Sequence, residues 1–275
     1  PKKIKQGYLM DNQLTDARCN ADRIDEIVKI LQNTEMGAPV VEFGLMKDVQ
    51  VVLDMDMETA GYYSETLMGA PTISLNANLD NAVLVVALAH ELRHVEQMMV
   101  QSVRPSGLPP LDAIRMTRIL EADASAYSAG TAYEIFQKTG DRQYLDALAD
   151  YEEEDIGDAF IAAATPGKSV REDITPFCAA FEQWFNRPER IDHYDRATIK
   201  QYSAIKSNPL LSLIFNAEAK AELTVDMLKD ISAVANANYL EDSGIKKNLL
   251  SSERYVGNIS ASVSRLAARI EVSPV

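Results

Sequence analysis

The sequence predicts an α+β protein that is predominantly helical, with a small sheet toward its N-terminal side. Three observations predict it. Valine-rich and alternating segments cluster between residues 40 and 80, and nearly everything after Leu79 follows helical spacing. No internal repeat or low-complexity tract interrupts either region. With 47% of its 275 residues hydrophobic and 25% charged, the chain has material for one large core, or for a core with an extension.

The first helix is expected over residues 15–32. There Ile24, Ile27, Val28 and Leu31 share one face, and Asp22, Arg23, Asp25 and Glu26 face water. "NTEMGAP" then breaks the pattern. "VQVVLD" (residues 49–54) is short and valine-rich, which predicts a strand. "GYYSETLMGAPTISLN" reads as two extended segments joined through residues 69–71. In the second, Ile73 and Leu75 alternate with Thr72, Ser74 and Asn76, as in a half-buried or edge strand.

A helix follows over residues 80–103, ending before "RPSGLPP". Another runs from 112 to 139, with Gly140 as its stop. Further helices are expected at 141–164, 176–186, 190–207, 225–240 and 249–270, the second of these started by Thr175 as a cap before Pro176. This divides the chain into a core of residues 1–140 and a helical extension, residues 141–275, packed on it.

Charge excludes some partners. A net charge of −14 offers no basic footprint for nucleic acid, and it disfavours an anionic membrane. The longest apolar stretch, residues 82–89, is too short to span a bilayer. "PKKIKQGYLMDNQLTD" has basic residues with no apolar segment behind them, unlike a secretory signal. Cys19 and Cys178 are isolated, which fits buried, inert thiols in a reducing compartment. The expected location is cytoplasmic.

The chemistry concentrates in "HELRH". Only three histidines exist in the chain, and two of them stand four residues apart around Glu91. On a helix, His90 and His94 lie about 40° apart around the axis and about 6 Å apart along it, so both can ligate one zinc ion. Glu91 lies alongside the metal rather than on it. From there it can take a proton from a metal-activated water and pass it to a leaving amine. Because residues 82–89 are apolar on every side, these histidines emerge from a core rather than from a solvated helix.

Catalytic zinc usually takes a third protein ligand and leaves one position for water. A third histidine six residues beyond His94 is excluded, since Gln97 and Val100 stand where that pattern needs glycine and histidine. The next helix offers Glu121 and Asp123 in "ILEADASAYSAG". Two positions apart, they point about 200° away from each other, so only one faces the metal. Glu121 shares its face with Ala124, Ser125 and Ser128, small residues that permit close helix approach, and it is the favoured ligand. Asp123 is the alternative, and serves better as a structural partner to an arginine or a helix terminus.

"GYYSETLMGAPTISLNANLDNAVLVVALAHELRHVEQ", followed by "LEADASAY", resembles the gluzincin-type bacterial metallopeptidases of the ImmA/IrrE class. The closer resemblance is to a bacterial family of HExxH metallopeptidases defined only as a domain of unknown function, and it extends to "FEQWFNRPERIDHYD". The resemblance implies a zincin-like fold with a small N-terminal sheet, an active-site helix and Glu121 as third ligand. Its motif-bearing part covers residues 45–135, and no DNA-binding or sensory module accompanies it, so repressor cleavage is not carried over.

Other residues are weighed on the same basis. The strand containing Thr72, Ser74 and Asn76 is a candidate for holding an extended substrate by strand addition. His193 is a candidate oxyanion stabiliser, with its neighbour Tyr194 second to it. Arg93 reads as the partner of an acid. "DYEEED" (residues 150–155) reads as a solvated helix face, and Phe181, Trp184 and Phe185 as core. Together these predict a zinc-dependent peptidase acting on a peptide or protein, one zinc ion per chain. The alternative is a non-hydrolytic metal-binding protein that regulates or docks a partner.

Overall fold

Strand-forming and helix-forming segments separate along the chain, and the computed structural model packs both against one enclosed helix. It describes residues 19–64, 70–100, 104–208, 210–211, 222–228, 231–234 and 237–272. Residues 19–32 are helical (α1), followed by α2 (Gly37–Met46). Three strands come next, β1 (Gln50–Asp54), β2 (Gly61–Ser64) and β3 (Thr72–Asn76). The long helices α3 (Asn81–Val100) and α4 (Pro110–Thr139) follow. Four more complete the bulk of the molecule: α5 (Gln143–Asp150), α6 (Glu154–Ala163), α7 (Thr175–Trp184) and α8 (Pro188–Ser207).

The sheet has the order β1-β3-β2, with β3 parallel to β1 and antiparallel to β2. Its inner face presents Ile73 and Leu75, both fully buried. On α3 every residue from Val83 to Ala89 is buried, as a helix apolar on all sides requires. That helix packs on α2, β2 and β3, and also on α4 and α5. α4 is buried over nearly its whole length because α5, α6, α7 and α8 surround it. It stops where Gly140 turns left-handed (φ 73°) and its N–H closes on Phe136 O at 2.8 Å. A fully buried ion pair clamps α4 to α8: Arg118 donates to both Asp195 carboxylate oxygens at 2.7 and 2.6 Å. The same guanidinium reaches Gly257 O at 2.7 Å, tying in the C-terminal segment. Phe181, Trp184 and Phe185 are core.

Several expectations need correction. β3 is the central strand, not an edge, with both of its sides paired through Leu75. Residues 37–46 form a helix that the pattern did not announce. The helix expected over 141–164 is broken at Glu152, whose φ is 60°. Thr175 is inside α7 rather than capping it, and Asp173 accepts its N–H instead. Over 225–240 a helix gives way to a 3-10 turn (Val225–Leu228), a ladder of β4 (Ala233–Val234) and β5 (Ala237–Asn238), and the short α9 (Tyr239–Asp242). Asn238 explains part of this, because its side chain caps α9 by accepting Glu241 N–H. Residues 249–270 hold two helices, α10 (Glu253–Val256) and α11 (Ala261–Val272), separated by Gly257 and the left-handed Asn258. Cys19 is exposed and Cys178 half-buried. Residues 15–18 and 101–103 lie outside the described residues. No described helix is long and apolar enough to cross a membrane.

Candidate metal centre

Near the end of its apolar run, α3 turns His90 and His94 toward α4, where Glu121 meets them. The two imidazole Nε2 atoms are 3.0 Å apart, and Glu121 Oε2 is 3.3 Å from the first and 3.4 Å from the second. These donors, two nitrogens and a carboxylate oxygen, converge within 4.8 Å and have the chemistry to hold a metal ion. Asp123 points the other way, as two residues on a helix must, and is fully buried against Arg93.

Glu91 is buried beside the cluster, with the edge strand β2 as its backing. A Cβ at Gly61 would come within 2.9 Å of Glu91 Cγ, so the glycine leaves room for this carboxylate. The backbone N–H of Tyr63 donates to it. Burial pushes the Glu91 carboxyl above the ordinary range, against the opposing pull of both histidines. Burial alone would also raise Glu121, but the charges and hydrogen bonds of His94 and His90 hold it well below the usual carboxylate range. For His94 burial works downward, yet Glu121 outweighs it and the pKa rises to about 9. The cluster therefore stabilises positive charge where the three donors meet.

A second layer of buried groups stands behind each histidine. His94 Nδ1 lies 2.8 Å from Gln97 Oε1. The Gln97 amide in turn donates to Asp123 Oδ2 at 2.7 Å and to Leu120 O at 3.0 Å. Asp123 also accepts from Arg93 Nε at 2.7 Å and from the Tyr239 hydroxyl at 2.6 Å. Arg93 spans onward to the carbonyls of Ile231 and Ala233. Because Gln97 Oε1 accepts the Nδ1 proton, the neutral form of the ring, the form that ligates a metal, would aim its Nε2 lone pair at the cluster.

Behind His90 stands Glu153, which is buried rather than part of a solvated face. The break at Glu152 turns it inward, where it accepts from Ser125 and approaches Ser128 Oγ at 3.1 Å. Burial pushes the Glu153 carboxyl up, against the pull of His90 and the two serines. The Tyr151 ring meets the His90 ring edge-on at 5.5 Å.

On α8 the sequence favoured His193 over Tyr194, but His193 is exposed. Tyr194 is the one that reaches the centre, its hydroxyl hydrogen-bonded to Glu121. Burial and the surrounding carboxylates push that phenol well above its ordinary range, so it stays a donor. Thr72, Ser74 and Asn76 cannot hold a substrate by strand addition, because β3 has partners on both sides. Asn76 is in addition engaged with Met57 O and Asn78 N. Sequence reasoning missed Glu153 and Tyr151. One available signal was the pair of serines on the small-residue face of α4, which need polar partners once buried.

Among known families, one described as "Putative metallopeptidase family (DUF6782)" matches residues 7–235. No curated protein and no solved structure matches the chain.

Proposed function

The chain belongs to this metallopeptidase family, and we propose that it is a zinc-dependent peptidase of the gluzincin type. In this reading His90, His94 and Glu121 hold the ion and Glu91 is the general base. The observation that carries it is the convergence of those three donors beside a buried carboxylate. Their separations of 3.0, 3.3 and 3.4 Å suit zinc. A tetrahedron of ligands at zinc's ~2.1 Å bond length has edges of about 3.4 Å.

A bound zinc ion would polarise the scissile carbonyl and acidify the attacking water. Glu91, raised by burial, is suited to accept that proton and return it to the leaving amine. The Tyr194 hydroxyl, hydrogen-bonded to Glu121, would turn from that carboxylate to donate to the oxygen on which negative charge develops, the role first assigned to His193. β2 is an edge strand among the described residues and backs Glu91, so an extended peptide is expected to lie along it.

The test is metal content and peptide hydrolysis for the wild type, His94→Ala and Glu91→Gln. About one zinc per chain, lost in His94→Ala, is expected. Glu91→Gln should keep its metal and lose activity by about 10²- to 10⁴-fold. A Glu91→Gln variant as active as the wild type would sink the mechanism, and metal bound without hydrolysis of any peptide library would favour a binding protein.

A further inference from the structure

His90 Nδ1 is buried and has no hydrogen-bond partner among the described residues. On a histidine whose Nε2 faces a metal, this atom carries the ring proton and needs an acceptor. Leaving such a donor unmet in a core is costly, and native proteins rarely do so. The carboxylate that faces it is Glu153, whose Oε1 is 3.8 Å away. That is beyond a hydrogen bond but within about 1 Å of one.

Glu153 is built into place rather than stranded. It is 5% exposed, and two buried serines of α4, one and two turns beyond the ligand Glu121, grip its two oxygens. Arg190 secures the turn that carries it, donating to Glu152 O at 2.9 Å and to Asp155 at 2.7 Å. Two neutral hydroxyls hold this carboxyl, and among the described residues the His90 ring is its one partner within salt-bridge distance.

We propose that Glu153 is the positioning residue of His90, accepting the Nδ1 proton and so fixing the ring's tautomer and orientation toward the metal. This rests on the metallopeptidase reading above. It gives the two ligand histidines different supports, an amide for His94 and a carboxylate for His90. Carboxylate partners raise a ligand imidazole's basicity, so Glu153 strengthens the hold on the ion as well as its geometry.

The experiment measures zinc affinity by chelator competition, and the ring N–H signals of ¹⁵N-histidine-labelled protein, for the wild type, Glu153→Gln and Ser125→Ala/Ser128→Ala. Glu153→Gln should weaken zinc about 10- to 100-fold and shift the His90 Nδ1–H signal, leaving that of His94 in place. The double serine variant should act in the same direction by a smaller factor, and it decides the question alone if Glu153→Gln does not fold. Zinc affinity within twofold of wild type, with an unmoved His90 signal, overturns the proposal. Wild-type protein that binds no zinc would overturn the peptidase reading instead. The His90 ring proton of that metal-free protein still decides Glu153: a shift in Glu153→Gln supports it, and none overturns it.

Discussion

His90 and His94 stand one turn apart on the same helix, yet the groups behind them come from very different places in the chain. His94 is supported by Gln97, three residues along α3, and through it by Asp123 and Arg93, with every link at hydrogen-bonding distance. His90 faces Glu153, 63 positions away, across a 3.8 Å gap. The first support is set by helical spacing and forms when α3 and α4 pack. The second requires a helix break at Glu152 and the docking of the turn between α5 and α6, with the start of α6, onto α7 and α8. The His94 side is therefore the rigid half of the centre in its bonding. Its links to Gln97 and Asp123 lie within α3 and α4, and Tyr239, Ile231 and Ala233 only brace them from beyond residue 140, whereas the carboxylate facing His90 itself comes from there.

The largest effect should come from breaking the hub of the rigid half. Asp123→Ala removes the acceptor of Arg93, Gln97 and Tyr239 together, and leaves a guanidinium in a fully buried site without its carboxylate. Loss of one partner of a buried pair costs about 3–5 kcal/mol. Urea denaturation of the metal-free protein should register it. A loss below about 1 kcal/mol would mean that Glu96 and the carbonyls of Ile231 and Ala233 satisfy Arg93 unaided.

Gln97→Leu is a finer cut, since it keeps volume and deletes the amide between His94 and Asp123. Zinc affinity should fall about 10- to 100-fold. Compared with Glu153→Gln, it ranks the two supports directly. Affinity within twofold of wild type would show that helix packing alone orients His94, and that the contrast between the two halves has no energetic content.

How much of this was legible follows the same divide. The proposed ligands His90 and His94 and the proposed base Glu91 are read from angular spacing within a helix, and Glu121 is favoured over Asp123 by that spacing together with its small-residue face. His90, His94 and Glu121 do converge, and Asp123 does turn to Arg93. The pairing of Arg93 with an acid was expected as well. An apolar run announced α3, a glycine announced the end of α4 at Gly140, and helical spacing announced the buried Phe181, Trp184 and Phe185. What failed depends on partners remote in sequence. Alternation in Thr72–Asn76 reveals a strand with one buried face, but not whether one or both of its edges are paired. An acidic run such as residues 150–155 looks solvated until a left-handed residue turns one member inward to meet Ser125 and Ser128. His193 and Tyr194 are adjacent, and only the azimuth of α8 on α4 decides which reaches Glu121.

The smallest effect, and the most selective for the His90 side, is a response to acid through Asp155. Burial would raise this carboxyl, but Arg190, Gln183 and Arg187 outweigh it and hold it below the ordinary aspartate value of 3.8. A carboxylate depressed on folding contributes stability above its unfolded pKa and loses it as the pH falls through the folded value. The contribution should thus be constant from pH 7 to about 5, decline once the pH falls to the unfolded value of about 3.9, and vanish only below the lower folded value. Its size should stay under about 1 kcal/mol, since the pair is partly solvated. Urea midpoints of wild type and Asp155→Asn, measured without metal across that range, should differ at neutral pH and converge in acid. An unchanging difference down to pH 3 would mean that Asp155 does not titrate as a partner of Arg190. The turn carrying Glu153 would then be held by Arg190's bonds to the carbonyls of Glu152 and Trp184. In that case the His90 support would be as insensitive to acid as a backbone contact, and the two halves of the centre would differ in origin but not in robustness.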